Sequence, residues 1–548
     1  MTLYNPNVVI RSFDYQGCDP EFLSPLEDDE YYNPILSGFH PDPSICRVDD
    51  DYYLICSSFC YTPGIPLYHS KDLVNWQFRC HVIDSNNALK LSPKLDISRG
   101  IFAPTIRYNQ GKFYVITTAV DAGENFIVTA ESADGPWSDP IYLPQIDGCI
   151  DPDIFFDDDG CIYVCHNGEP ITEPLYEGHR AIWIWQYDEH TQTLIESSKT
   201  LLIDGGVEIS SKPIWIEGPH LYKYQGWYYL SAAEGGTSDQ HSQVIFRSRH
   251  VLGPYAPGPN NPILSQRQLD PKRSNPICAA GHADLVQTQN GDWWAVFLAT
   301  RNYKETHFNT GRETFLLPVT WEDEWPLILE ENMSIPYRNT KPNINSRGSQ
   351  VNTSQNGNFY WKDTFDHAAL SYHWNRIGSH GKNCFRLSLD SGPGIAIACI
   401  ESKEGSQLAD GFIGRRIQHK CFQSELVIDN TIENDCSAGL VLHQNEQHHF
   451  YIAIERQATV YRCLVEKTEA GVRQVLYSTT VDRLDSDGLH KIRVETNCDQ
   501  IMCSFTIGDT TIAPKERTFD GKLLSTSVAS GFVGAYVGML ARTIAKTD

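Results

Sequence analysis

Asp50-Asp51-Tyr52-Tyr53-Leu54 sets a polar turn directly against an aromatic run, and the same pairing returns four times along the chain. The other copies are Gln110-Gly111-Lys112-Phe113-Tyr114-Val115, Asp159-Gly160-Cys161-Ile162-Tyr163-Val164, Gln225-Gly226-Trp227-Tyr228-Tyr229-Leu230 and Asn290-Gly291-Asp292-Trp293-Trp294-Ala295. Each reads as a hairpin turn leading into a strand, because Gly, Asn and Asp tolerate the turn and aromatic or β-branched residues suit the pleat. Several copies are followed by a second element: His69-Ser70-Lys71-Asp72-Leu73-Val74-Asn75-Trp76, Glu131-Ser132-Ala133-Asp134-Gly135-Pro136-Trp137 and Ser248-Arg249-His250-Val251-Leu252-Gly253-Pro254-Tyr255. Five all-β copies at intervals of about 50–65 residues indicate radial repetition, and residues 33–330 read as a five-bladed β-propeller. A single β-sandwich would not explain a hairpin that recurs five times.

The flanks read differently. Residues 1–32 are acidic and turn-rich (Leu26-Glu27-Asp28-Asp29-Glu30) and are expected to form an arm lying on the propeller. Residues 331–358 are rich in Asn, Ser and Gly, lack an apolar period and read as a linker. From Phe359 to Asp548 short alternating strands such as Ala438-Gly439-Leu440-Val441-Leu442-His443 and Phe450-Tyr451-Ile452-Ala453-Ile454-Glu455 predict a β-sandwich.

Composition narrows the partners. A net charge of −25 speaks against nucleic acid or an anionic membrane, both of which require clustered Lys and Arg, and is compatible with a neutral substrate. Met1-Thr2-Leu3-Tyr4-Asn5-Pro6 carries no basic segment followed by an apolar one. A cytoplasmic protein is therefore expected, or a secreted or periplasmic one if a leader has been removed. The sixteen cysteines are scattered through apolar runs, and the Cys56/Cys60 and Cys161/Cys165 spacings do not make a zinc ribbon. Buried reduced thiols are the expectation.

Three acids stand beside proline turns at the starts of repeats: Pro41-Asp42-Pro43, Ile150-Asp151-Pro152-Asp153 and Ile216-Glu217-Gly218-Pro219. Proline disfavours the helical region for the residue before it, so Asp42 is expected to be extended. In a propeller such positions converge on one funnel. Two carboxyl groups facing across a pocket are what glycosidic cleavage requires, one protonated to serve the leaving oxygen and one ionised to activate water or attack carbon. A third carboxylate can raise the acid's pKa by like-charge repulsion. Side chains two apart on a strand share a face, so spacing alone does not choose between Asp151 and Asp153. Asp157-Asp158-Asp159-Gly160 reads as a hairpin turn rather than a calcium loop, since it lacks the distant acidic ligand.

Gly38-Phe39-His40-Pro41-Asp42-Pro43-Ser44, Ile150-Asp151-Pro152, Glu217-Gly218-Pro219, Ala233-Glu234-Gly235-Gly236-Thr237, Gly281-His282-Ala283-Asp284-Leu285-Val286 and Gly311-Arg312-Glu313-Thr314 together resemble glycoside hydrolase family 43. The resemblance is to its two-domain β-xylosidase and α-L-arabinofuranosidase members. It runs to about residue 540, because Arg415-Arg416-Ile417-Gln418-His419 and Gly534-Ala535-Tyr536-Val537-Gly538 look like the family's concanavalin-like sandwich. It implies an inverting enzyme in which Asp42 is the general base, Glu217 the general acid and Asp151 the residue that tunes and orients that acid. The working carboxyls of such a site stand roughly 6.5–9.5 Å apart.

The resemblance also implies that His282, Arg312 and Phe59 line the sugar pocket. No cofactor is required, although some members hold a divalent cation such as calcium close to the histidine that His282 matches. Phe102-Ala103-Pro104 stands where many members carry Trp-Ala-Pro, which leaves more room beside the sugar. Cys60, Tyr61 and Thr62 replace bulkier or acidic residues, and the chain stops at Lys546-Thr547-Asp548, where another sandwich strand is expected.

The expected activity is exo-hydrolysis of terminal β-D-xylosyl residues from xylo-oligosaccharides during hemicellulose breakdown. The alternatives are an α-L-arabinofuranosidase or a bifunctional enzyme and, from another class, a non-catalytic carbohydrate-binding propeller. A retaining fructan hydrolase would want Asn-Asp-Pro, Arg-Asp-Pro and Glu-Cys stretches, which do not match these motifs. Exposed sandwich faces leave room for a homo-oligomer.

Overall fold

The structure is a computed structural model and describes residues 7–84, 96–344, 355–378, 384–387, 389–401, 407–430, 432–482, 488–514 and 518–544. Five small antiparallel sheets follow one another along the chain. Blade I holds Ser44–Val48, Asp51–Ile55, Gly64–Ser70 and Gln77–Ile83. Blade II begins with Thr105–Asn109, blade III with Ile150–Phe156, blade IV with Glu217–Tyr224 and blade V with Ile277–Gln287. The recurring hairpin joins the first and second strand of each blade. In blades II and IV it is a two-residue turn with both central residues at positive φ (Gln110 48°, Gly111 86°; Gln225 49°, Gly226 76°). That conformation matches the twist of the flanking strands, which is why glycine recurs there.

Paired apolar residues in the repeat have a common cause. Phe113 packs with blade I residues such as Ile55 and Leu67, whereas Tyr114 packs with Ile154 and Val164 of blade III. Successive side chains of a strand point to opposite faces, so one dipeptide feeds two inter-blade cores. Trp293 and Trp294 do the same toward blades IV and I. Five such cores lie between neighbouring blades and close the ring. The segment from Tyr31 to Leu36 helps seal it: Asn33 exchanges side-chain hydrogen bonds with the backbone of Leu316 (2.8 and 2.9 Å), and Ile35 N donates to Thr314 O (2.9 Å).

The C-terminal unit is a two-layer sandwich of a nine-stranded and a six-stranded sheet around one large core. Here the expected N-terminal arm is corrected. Asn7–Gly17 is a strand of the nine-stranded sheet, lying between Ile395–Ala398 and Cys421–Ile428. It buries Val8, Ile10, Phe13 and Tyr15 in the sandwich core, not against the propeller. The segment read as a linker is also ordered over its described part, where Arg338–Thr340 pairs with Glu30–Tyr32. The last strand, Tyr536–Thr543, lies inside the six-stranded sheet between Ile413–Arg416 and Cys436–Asn445. Residues 545–548, where a further strand was sought, lie outside the described residues. All sixteen cysteines are free thiols. Among the described residues no helix is long and apolar enough to cross a membrane.

The two units meet over a buried seam. Arg301 donates to Glu313 of blade V, to Asp19 (2.6 Å) and to the Gln418 carbonyl (3.0 Å). Tyr61 stacks on Tyr536 with centroids 3.9 Å apart. Gly311 and Gly534 touch backbone to backbone, and a Cβ on Gly311 would come within 2.7 Å of Gly534.

Candidate active site

In or just ahead of the first strands of blades I, III, IV and V the chain repeats one backbone device. Asp42, Asp151 and His282 have φ of 51°, 53° and 53°, and Gly218 has 54°. Positive φ is uncommon for non-glycine residues and Asp is among those that tolerate it. In blades III, IV and V the ladder also breaks register at this point, between Ile150 and Asp153, Glu217 and His220, and Gly281 and Asp284. Bulges of this kind re-aim side chains. The expectation that flanking prolines hold Asp42 extended is therefore wrong: two side-chain donors to its carboxylate and the local turn outweigh the preference set by Pro43. Gly218 is required by space as well as by φ, since a Cβ there would sit 2.8 Å from the imidazole of His282.

The structure brings Asp42, Asp151, Glu217, His282 and Arg312 together. Asp42 is buried and accepts from Ser57 Oγ at 2.6 Å and from Arg312 Nη1 at 2.7 Å. Asp151 accepts from the backbone N–H of Gly218 at 3.1 Å, so it grips the residue next to Glu217, and lies 3.6 Å from His282 Nε2. Glu217 is only 9% exposed. Burial, followed by the negative charges of Asp151 and Asp42, pushes its carboxyl up to about 8 against the pull of His282 and Arg312. The group thus holds its proton at neutral pH. Burial alone would lower His282, but Asp151, Asp42 and Glu217 raise it to about 9, so it carries a positive charge among them.

Asp153 belongs elsewhere. The bulge separates it from Asp151, and it accepts from Leu221 N at 3.0 Å and pairs with Arg107 at 2.8 Å. Arg107 also pairs with Asp284 at 2.8 Å, and Asp284 further accepts from Ser44 Oγ (2.7 Å), Ile45 N (3.0 Å) and Tyr222 OH (2.7 Å). Burial would raise Asp284, but Arg107 and His220 hold it well below the usual carboxylate range.

An aromatic wall adjoins the carboxylates. The Arg312 guanidinium lies 5.5 Å from the centre of the Phe59 ring, and Phe59 and Phe102 are 4.9 Å apart. Sequence reading missed a third member, Phe532, which reaches in from the sandwich to 6.3 Å from Phe59 and 6.4 Å from Phe102. It is 42% exposed. Its backbone is fixed by Ser98 Oγ at 2.9 Å, and its carbonyl accepts from Arg312 Nη2 at 3.5 Å. The only signal in the sequence is the Gly531-Phe532 pair ahead of the last strand. Its partners are more than 200 residues away.

Among the described residues no three His, Cys, Asp or Glu side chains gather in metal-ligand fashion, and the protonated His282 faces Asp151 as a donor.

The model of "Glycosyl hydrolases family 43" matches residues 31–326, and that of the "Beta xylosidase C-terminal Concanavalin A-like domain" matches residues 362–548. The chain is 35% identical over 537 residues to a xylosidase/arabinosidase of Butyrivibrio fibrisolvens, covering 94% of this chain and 96% of that one. It is 33% identical over 526 residues to a non-reducing end α-L-arabinofuranosidase of Bacteroides ovatus, covering 94% and 92%. A crystal structure of a GH43_12 protein from a capybara gut metagenome superposes with a TM-score of 0.89 at 34% identity, covering 98% of this chain and all of that one.

Proposed function

The chain belongs to glycosyl hydrolases family 43 and is a glycoside hydrolase, and from that premise we propose that it removes terminal β-D-xylosyl residues from xylo-oligosaccharides with inversion. The observation that carries the reading is a buried Glu217 kept protonated beside an Asp42 carboxylate that only accepts hydrogen bonds. Glu217 gives its proton to the glycosidic oxygen as the bond to the anomeric carbon lengthens. Asp42 takes a proton from the water that attacks that carbon from the opposite face. Burial keeps Glu217 protonated, and Asp151 adds like-charge repulsion and fixes its backbone through Gly218. Arg312 orients Asp42 and has further donors for sugar hydroxyls. After turnover Glu217 is ionised and Asp42 protonated, and exchange with solvent resets both.

Proton NMR of xylobiose hydrolysis at early times tests the reading. α-Xylose appearing first is the expected result, and β-xylose first would overturn inversion and the role of Asp42. The named activity of the Bacteroides ovatus relative and the modest ring of Phe102 favour α-L-arabinofuranosidase as a second reading. Exclusive release of arabinose from an arabinofuranosyl-xylobiose would select it. A protein that binds xylobiose without turnover would reduce the site to a lectin.

A further inference from the structure

Two residues before Glu217 the chain carries an exposed tryptophan on a rigid mount. Trp215 is 36% exposed, with φ of 50°, and follows Ile214, itself 48% exposed. Positive φ is uncommon for a residue as bulky as tryptophan. The mount is stitched from both sides: Trp215 N donates to Gly178 O at 2.9 Å, and Gly235 N donates to Ile214 O at 2.8 Å. One side of the indole is pinned by Arg180, whose guanidinium carbon lies 4.7 Å from the ring centre. Arg180 is in turn held by Asn167 Oδ1 at 3.2 Å and by an ion pair with Glu169, and Asn167 Nδ2 donates to Ile216 O at 2.6 Å. Such a cation–π contact fixes the ring plane before any ligand arrives.

The place of this ring follows from the reaction. Glu217 must reach the oxygen of the leaving group, so the leaving sugar emerges on the Glu217 side of the pocket. The Arg312 side is closed by Phe59, Phe102 and Phe532. Trp215 precedes the first strand of blade IV and so lies on the face where the carboxylates converge. A pyranose ring has an apolar C–H face that buries well on a flat aromatic surface, and a ring already immobilised loses little entropy on binding.

We propose that Trp215 is the platform on which the first leaving-group sugar stacks. The inference rests on the glycosidase reading above and names a specificity-determining residue for it. The test compares Trp215→Ala and Trp215→Phe on xylobiose and on β-D-xylosyl fluoride, a substrate whose leaving group carries no sugar. Expected is a fall of about tenfold or more in kcat/KM for xylobiose with Trp215→Ala, partial recovery with Trp215→Phe, and retention of fluoride hydrolysis within about twofold. Equal losses on both substrates would show a merely structural role, and no loss on xylobiose would show that nothing stacks there; either overturns the platform. Wild-type protein inert toward both the xylosyl and the α-L-arabinofuranosyl fluoride would overturn the glycosidase reading itself, and the platform with it. If only the arabinosyl pair is turned over, the same comparison decides the platform on that pair.

Discussion

Two layers of charge are carried by the same blades. One holds Asp42, Asp151, Glu217, His282 and Arg312; the other holds Arg107, Asp153, Asp284, His220 and Tyr222. In the second layer Arg107 bridges two aspartates, and Asp284 is pulled well below its usual range. In the first layer three carboxyl groups crowd one guanidinium and one imidazolium, and Glu217 responds by keeping its proton. The contrast teaches that burial and neighbouring carboxylates keep one acid of the first layer protonated, whereas a shared guanidinium holds the second layer together.

Breaking the first layer has the largest effect. Glu217→Gln and Asp42→Asn are each expected to lower kcat on xylobiose by about 10²–10⁴-fold, read by initial rates, while xylobiose still binds to Asp42→Asn by calorimetry. Breaking the second layer acts on stability instead. Arg107→Met leaves Asp153 and Asp284 buried without their cation and should cost roughly 3–5 kcal/mol in denaturant unfolding. A smaller cost than that of a surface substitution would show the two layers to be alike.

The pH dependence sharpens the same comparison. Activity should hold up to about pH 8 and fall above it as Glu217 ionises; Asp151→Asn removes the repulsion and shifts that limb to lower pH. Because the folded-state pKa of Glu217 is raised, the native protein binds more protons than the unfolded chain between its ordinary value and about 8. Stability from this group is full below that interval and is lost as pH rises through it. Glu217→Gln should therefore unfold at higher temperature than wild type at pH 8 and at nearly the same temperature at pH 4. The smallest expected effect is at the wall: Phe532→Ala should raise KM for xylobiose by about 3–10-fold with kcat little changed, since it removes one apolar face.

The propeller was legible because its repeat is local: a turn and its two strands lie within about twenty residues. The three acids were legible for the same reason, each standing beside its own proline or Gly-Pro. What escaped depends on distant partners. Val8, Ile10, Phe13 and Tyr15 alternate like a strand, but the neighbours that make them one lie near residues 395 and 428. The left-handed backbone of Asp42 is held in part by Arg312, 270 residues away, against the local rule for residues preceding proline. Phe532 and Trp215 stand next to family motifs, but nothing in those motifs assigns them a part; only their seating marks them.

The strand Asn7–Gly17 also dictates when the enzyme comes into being. It is made before the propeller, yet its sheet partners arrive only after the whole propeller has left the ribosome, and the Phe532 wall follows them. The propeller is thus an insertion between two parts of one sandwich. A nascent chain arrested at the end of blade V would carry every carboxylate and still lack the Phe532 side of its pocket, which is closed only once the sandwich strands that follow the propeller have been made.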